Sequence, residues 1–238
     1  MQKNIKLIVS DMDGTLLDKE GNITQEFWDI LPMLEKKGVK FAVASGRQYA
    51  TLKAMFADAQ QDIIFIAENG GLVSYQDEIL AIAEMPKTEL KEMIHISRQQ
   101  EGSCFLISGE KSAYIEQPDS EESLAEIQKY FHKLEIVEDL TKIDEYDDRI
   151  VKLTSYNPKG SEKYIFPDFE KFQENYDVVL SGASWIDICN PGVDKGKAVE
   201  QIKQKFGITT DEVMIFGDHL NDASMMPCGT YSYAMKNA

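Results

Sequence analysis

Asp11 and Asp13 stand one residue apart directly after the apolar run Ile5–Val9, and Gly14 and Thr15 follow them. Two carboxylates at that spacing suit covalent phosphoryl transfer. One attacks phosphorus and becomes an acyl phosphate; the other protonates the departing oxygen and later activates water. Gly14 lets the backbone turn sharply beside a ligand. The same D-x-D-G string also occurs in calcium loops and in ordinary acidic turns, so the motif alone leaves both readings open.

Three further groups carry chemistry of the same kind. Ala44-Ser45-Gly46-Arg47 follows a second apolar run and opens a helical pattern, where a hydroxyl and free amides can cradle a phosphate. It also reads as a Ser N-cap with Gly in a turn, which is a common arrangement. Asp194-Lys195-Gly196-Lys197 precedes another helix and offers an ammonium to offset phosphate charge, or merely a solvated lysine, and spacing does not choose between Lys195 and Lys197. Gly217-Asp218-His219-Leu220-Asn221-Asp222 places carboxylates after the run Val213–Phe216. Such a set suits Mg²⁺, which takes one or two carboxylates and keeps waters and a phosphate oxygen, or it is an Asp/Asn-rich turn with a helix cap. His219 reads as a turn residue, since Mg²⁺ prefers oxygen.

The elements that must position these groups are legible as hydrophobic periodicity. Ile5–Val9, Val39–Ala44, Ile63–Ala67 and Val213–Phe216 read as buried strands. Phe27, Ile30, Leu31 and Leu34 lie at helical spacing between Thr24, a candidate N-cap, and Gly38, a candidate stop. Leu52, Met55 and Phe56 form a second such face; Val199, Ile202 and Phe206 form a third, ahead of Gly207. Pro32 inside the first helix predicts a kink or an irregular turn. Strands alternating with helices imply an α/β fold, a Rossmann-like parallel sheet built from right-handed crossovers, with ligands beyond the carboxyl ends of the strands. Asp11, Ser45 and Asp218 all fall at such ends. From about Pro86 to Ala183 the pattern changes to paired strands (Cys104–Ile107, Ala113–Glu116, Ile150–Ser155, Val178–Leu180, Trp185–Ile188) and helices (Thr88–Gln100, Glu121–Leu134, Glu162–Asn175). This predicts an inserted α+β cap at 84–186, between core segments 1–83 and 187–238.

The 238 residues include 43% hydrophobic and 28% charged, with a net charge of −16 and a pI near 4.6. No apolar stretch reaches the length of a membrane span and the amino terminus lacks a signal-peptide pattern, so a soluble, cytoplasmic protein is expected. Cys104, Cys189 and Cys228 show no C-x-x-C spacing, and His95, His132 and His219 lie far apart, which argues against a disulfide framework and a zinc site. The acidity and the dispersed Lys and Arg argue against nucleic acid as partner. An anionic substrate would need Mg²⁺ and a few placed cations to reverse the field locally.

Taken together, D-M-D-G-T-L-L-D, A-S-G-R, D-K-G-K-A and G-D-H-L-N-D resemble, in that order, the four motifs of the haloacid dehalogenase superfamily. Glu68-Asn69-Gly70-Gly71 and Ala234-Met235-Lys236-Asn237-Ala238 extend the resemblance to its Cof-like phosphatases, whose large α/β cap is inserted after the third core strand. The resemblance implies a phosphoric monoester hydrolase acting on small phosphorylated metabolites, such as sugar phosphates, flavin mononucleotide or pyridoxal phosphate, through an aspartyl-phosphate. It implies Asp11 as nucleophile and Asp13 as general acid/base. Ser45, with Gly46, and Lys195 would bind phosphate, and Asn221 would meet phosphate or a metal-bound water. Mg²⁺ would be held by Asp11, the Asp13 backbone carbonyl and Asp218, with Asp222 orienting Lys195 or the metal shell. Asn69, Arg47 and Asn190 are candidate wall residues, and the cap would close over the site. No obligate protein partner is implied. A phosphomutase of the same superfamily and a non-catalytic phospho-ligand sensor are the rival readings; a dehalogenase needs neither Asp13 nor Mg²⁺. Similar proteins continue past the A-M-K-N-A stretch with a strand and a helix, so a chain stopping at Ala238 is expected to be truncated or naturally short, with an exposed sheet edge.

Overall fold

The computed structural model describes residues 4–238. Along the chain run β1 (Leu7–Asp11), α1 (Gln25–Lys36), β2 (Lys40–Ala44), α2 (Tyr49–Met55), β3 (Ile63–Ala67), β4 (Leu72–Tyr75) and β5 (Glu78–Ile82). Then come α3 (Leu90–Ser97), β6 (Cys104–Gly109), β7 (Ala113–Glu116), α4 (Glu121–Gln128), β8 (Leu134–Val137), β9 (Ile150–Tyr156), α5 (Ser161–Tyr164), α6 (Phe166–Phe169), β10 (Asp177–Gly182) and β11 (Trp185–Cys189). The chain ends with α7 (Lys195–Phe206), β12 (Val213–Gly217) and β13 (Tyr231–Ala234). Two compact units divide it: residues 1–82 with 194–238, and residues 83–193. The second boundary falls after Val193 rather than at 186, because β11 pairs with β9 and carries residues 187–189 into the second sheet.

The first unit is a seven-stranded sheet in the order β13-β12-β1-β2-β3-β4-β5. The first five strands are mutually parallel, and β4 and β5 add an antiparallel hairpin. Parallel strands covered on both faces must be apolar on both, which is why these read as unbroken hydrophobic runs. Leu7, Val9, Ala42, Ala44, Ile64 and Ile66 share one core cluster with Ala198, Val199 and Ile202 of α7. Phe41, Val43 and Ile63 turn to the other side and pack with Leu31 of α1, Leu52 of α2 and Phe56. Each Val, Leu, Ile or Phe among them contributes about 1.5–3 kcal/mol on burial, so the sheet is fixed on both faces.

Helix ends obey local chemistry. Lys37 caps α1, and the amides of Gly38 and Val39 donate to Glu35 and Leu34 at 2.8 and 3.0 Å, so the predicted stop is where the helix ends. Thr24 occupies the N-cap without a side-chain hydrogen bond, and α1 continues through Pro32. Asp194 caps α7 by accepting from the Lys197 amide at 2.8 Å, which fixes where Lys195 begins the helix.

The second unit holds a six-stranded sheet, β10-β11-β9-β6-β7-β8, antiparallel except for the β7–β8 pair. Leu90, Met93 and Ile94 of α3 and Phe169 of α6 join one core cluster; Ile127 of α4 and Phe131 join another. The helix predicted over 162–175 is instead broken into α5, α6 and a 3-10 turn. Pro167 is the reason: it lacks an amide proton and its ring disfavours a helical residue before it. The pattern predicted as one helix over 121–134 ends at Gln128, and Leu134 opens β8.

Candidate active site

Asp11 closes β1, and the chain then makes a five-residue irregular turn, Met12–Leu16, that carries Asp13. Gly14 sits there at φ +83°, and a Cβ on it would lie 2.2 Å from Asp218 Oδ2 and 3.1 Å from Asn237 Nδ2. Only glycine allows this close approach of the turn to the end of β12. Asp218 accepts from Thr15 Oγ1 at 3.0 Å and from Asn237 Nδ2 at 2.6 Å, and Asn237 also donates to the Gly14 carbonyl at 3.2 Å.

Lys195 is the lysine brought to this place; Lys197 is exposed. The Lys195 side chain is fully buried, with Nζ 2.6 Å from Asp11 Oδ1 and 2.7 Å from Asp222 Oδ1. The second oxygen of Asp222 accepts the amides of Asp218 and His219, at 2.8 and 3.1 Å. One buried carboxylate therefore fixes both the ammonium and the loop that presents Asp218.

Burial pushes the Asp11 carboxyl up to about 6. Lys195 opposes that rise by charge and hydrogen bond, and the Asp222 charge adds to it. The nucleophile candidate is thus poised near neutrality, where a further cation would hold it ionised.

One oxygen each of Asp11, Asp218 and Asp222 lie within 4.8 Å of one another, an arrangement that could hold a metal ion. The donor set is all oxygen, which fits a hard dication. Asp222 is buried, with its oxygens taken up by the Lys195 ammonium and two backbone amides, whereas Asp218 is only partly buried and is met by the side chains of Thr15 and Asn237. The Asp13 carboxylate is not in that group: it receives Arg47 Nε at 2.9 Å and Arg47 Nη2 at 2.6 Å.

Ser45 follows β2 and is almost wholly buried. Its amide donates to Ile66 O, its carbonyl accepts from the Asn69 amide, both at 2.9 Å, and its hydroxyl accepts from the Arg47 amide at 3.2 Å. The A-S-G-R stretch is a loop ahead of α2, which begins at Tyr49. A Cβ on Gly46 would stand 3.0 Å from Asn69 Nδ2. Asn69 itself adopts φ +54°, after Glu68 at φ +51°, and accepts from Asn221 Nδ2 at 3.2 Å. Asn69 thereby joins the second motif to the fourth.

Asp11, Asp13, Ser45, Gly46, Lys195, Asp218, Asn221 and Asp222 all belong to the first unit, as do Arg47 and Asn69. Asn190 does not: it lies in the second unit and donates to the backbone carbonyls of Glu84 and Ala83, at 2.8 and 3.4 Å. Three contacts escaped the sequence reading. Thr15 and Asn237 both donate to Asp218, and Arg47 forks onto Asp13; all three lie inside stretches that carry the resemblance, but spacing gives no sign of which oxygen they meet.

Comparison with known proteins identifies the family. A model of the haloacid dehalogenase-like hydrolases matches residues 8–238. The 5-amino-6-(5-phospho-D-ribitylamino)uracil phosphatase YbjI of Escherichia coli is 32% identical, over 99% of this chain and 86% of its own. The 5-amino-6-(5-phospho-D-ribitylamino)uracil phosphatase YcsE of Bacillus subtilis is 25% identical, over 99% of this chain and 85% of its own. Among solved structures, a Streptococcus mutans protein superposes with a TM-score of 0.83 at 29% identity, over 98% of this chain and 88% of the other. Among the described residues no helix is long and apolar enough to cross a membrane. The chain belongs to the haloacid dehalogenase-like hydrolases and is a phosphoric monoester hydrolase of that family.

Proposed function

We propose that the protein is an Mg²⁺-dependent phosphatase of small phosphorylated metabolites, with Asp11 as nucleophile and Asp13 as general acid/base. The observation that carries this reading is the Lys195 ammonium held between Asp11 and Asp222 beside Asp218. It leaves Asp11 Oδ2 as the oxygen that does not accept from Lys195. Asp11 attacks phosphorus through a carboxylate oxygen, the phosphorus–ester oxygen bond breaks, and the leaving oxygen takes the Asp13 proton. Water that gives its proton to Asp13 then cleaves the aspartyl phosphate, returning Asp11 and releasing inorganic phosphate. Lys195 and Ser45 hold the transferred group by charge and hydrogen bond, and Asn221, steadied by Asn69, completes the polar wall. Mg²⁺, held by Asp11, Asp218 and the Asp13 carbonyl with Asp222 in support, would supply charge neutralisation between carboxylate and phosphate.

Two relatives named as phosphatases of a 5-phosphoribitylamino compound support a sugar or polyol phosphate as the organic part. Flavin mononucleotide carries the same ribityl phosphate group, which keeps it in the candidate set. The test is phosphate release from a panel of sugar, polyol and nucleotide monophosphates, with and without Mg²⁺. Asp11→Asn should abolish turnover while leaving the fold intact. Near-normal activity in that variant, or undiminished activity after chelation, would overturn the scheme.

A further inference from the structure

We infer that Arg47 is a positioning residue for Asp13, tying the orientation of the proton donor to the loop that carries Ser45. The inference rests on the phosphatase reading above and adds a role for a residue outside the set assigned to the chemistry.

The Asp13 side chain is 60% exposed and projects from an irregular turn rather than from a regular element. A short carboxylate in that setting samples several rotamers, and a proton donor that wanders by about 1 Å can lose on the order of 100-fold in rate. Among the described residues, the hydrogen bonds to this carboxylate come from Arg47, at 2.9 Å from Nε and 2.6 Å from Nη2. Two parallel bonds from a planar fork fix direction as well as distance, which a single-point ammonium does not.

Arg47 is itself well seated. Its side chain is only 20% exposed, and Nη1 lies 3.7 Å from Met55 Sδ. Its amide donates to Ser45 Oγ at 3.2 Å, and its carbonyl accepts from the Glu68 amide at 3.1 Å. The backbone that presents the phosphate-binding hydroxyl therefore also presents the guanidinium that aims Asp13. In the protonated Asp13 carboxyl that acts as donor, the oxygen bearing the proton accepts only weakly from Arg47 and the other oxygen keeps the group in line. As the bond from Asp11 to phosphorus forms and the ester bond breaks, that proton passes to the leaving oxygen and Asp13 returns to the carboxylate that both Arg47 bonds hold.

The experiment is kcat/KM, which reports the phosphoryl-transfer half, for substituted phenyl phosphates from p-nitrophenyl to p-methoxyphenyl, in the wild type, Arg47→Ala, Arg47→Lys, Asp13→Asn and Arg47→Ala/Asp13→Asn. A p-nitrophenolate leaves without protonation, whereas a p-methoxyphenolate needs the proton. Arg47→Ala should lower the p-methoxyphenyl ester about 10- to 100-fold and the p-nitrophenyl ester less than about threefold. Arg47→Lys should not restore the difference, and the double variant should be no slower than Asp13→Asn. Equal losses for all esters, as from lost phosphate binding or a damaged fold, overturn the inference, and so does an additive double variant. A wild type that hydrolyses none of these esters counts instead against the phosphatase reading itself.

Discussion

Lys195 Nζ lies 2.6 Å from Asp11 Oδ1 inside a site where the lysine side chain is fully buried and Asp11 nearly so. A buried ion pair of this kind is weak grounds for stability, because desolvation of both partners offsets their attraction. Its value lies in where it puts charge: the ammonium pairs with two carboxylates, those of Asp11 and Asp222, and offsets one of their two negative charges at the end of the sheet where a dianion must approach a protein of net charge −16.

Lys195→Ala should therefore damage both fold and activity. Removing one member of a buried ionic group leaves the rest uncompensated, at a cost of about 3–5 kcal/mol. Loss of a preorganised cation at the reacting phosphoryl group should lower kcat about 10²- to 10³-fold. Urea unfolding with and without Mg²⁺ measures the first effect, and turnover the second. A variant as stable and active as the wild type would show that the ammonium is idle.

The buried Asp11 carboxyl also makes a pH prediction. Its folded value of about 6 lies above the ordinary 3.8. A raised acid contributes its stabilisation below 3.8 and loses it as pH rises through about 6, so the metal-free protein should weaken across that window. The upper figure is about 3 kcal/mol. Metal-free Asp11→Asn should lack this slope and become the more stable protein by pH 8. Mg²⁺ should restore the wild type above pH 6 and leave the variant little changed. Thermal midpoints at pH 4 to 8 in chelator and in Mg²⁺ are the measurement; parallel curves for the two proteins would contradict it.

The parallel core was legible because strands buried on both faces admit little besides Val, Ile, Leu, Phe and Ala, and β1, β2, β3 and β12 obey that rule. The β4–β5 hairpin was not, since its turn is Gln76-Asp77, both at positive φ. Hairpins of that type usually announce themselves with Asn-Gly or Asp-Gly; here contacts from Gln76 to Asp62 and from Lys53 to Asp77 accompany the strained pair. At the candidate site, side-chain type and order pointed to Asp11, Ser45 and Asp218, because each stands at the end of a strand the pattern exposes. The choice of Lys195 over Lys197 depended on helix phase relative to the sheet. The Arg47–Asp13 and Asn237–Asp218 contacts depended on loop paths, which no periodicity encodes.

Gly14→Ala should act on the proposed metal site without replacing a ligand. The added Cβ would fall 2.2 Å from Asp218 Oδ2, and φ +83° is a backbone state that alanine adopts at a cost of about 1 kcal/mol or more. Asp218 must then withdraw, breaking its bonds to Thr15 and Asn237. Calorimetric titration with Mg²⁺ should show affinity reduced at least about tenfold, with the far-UV circular dichroism unchanged. Wild-type affinity would mean that Asp218 does not hold the cation.

Asn69 offers a comparison in which strain and hydrogen bonding separate. It adopts φ +54° and accepts from Asn221 at 3.2 Å. Asparagine tolerates the left-handed region better than other non-glycine residues, and alanine pays about 1 kcal/mol there. Asn69→Gly removes the side chain but not the conformation; Asn69→Ala loses both. If Asn69 serves to hold Asn221 against the transferred phosphate, both variants should raise KM for a phosphate ester by a similar few-fold factor, while only Asn69→Ala lowers the unfolding free energy by about 1 kcal/mol. A KM defect confined to Asn69→Ala would assign the effect to backbone strain in the Glu68–Asn69 turn and release Asn221 from any role that depends on this contact.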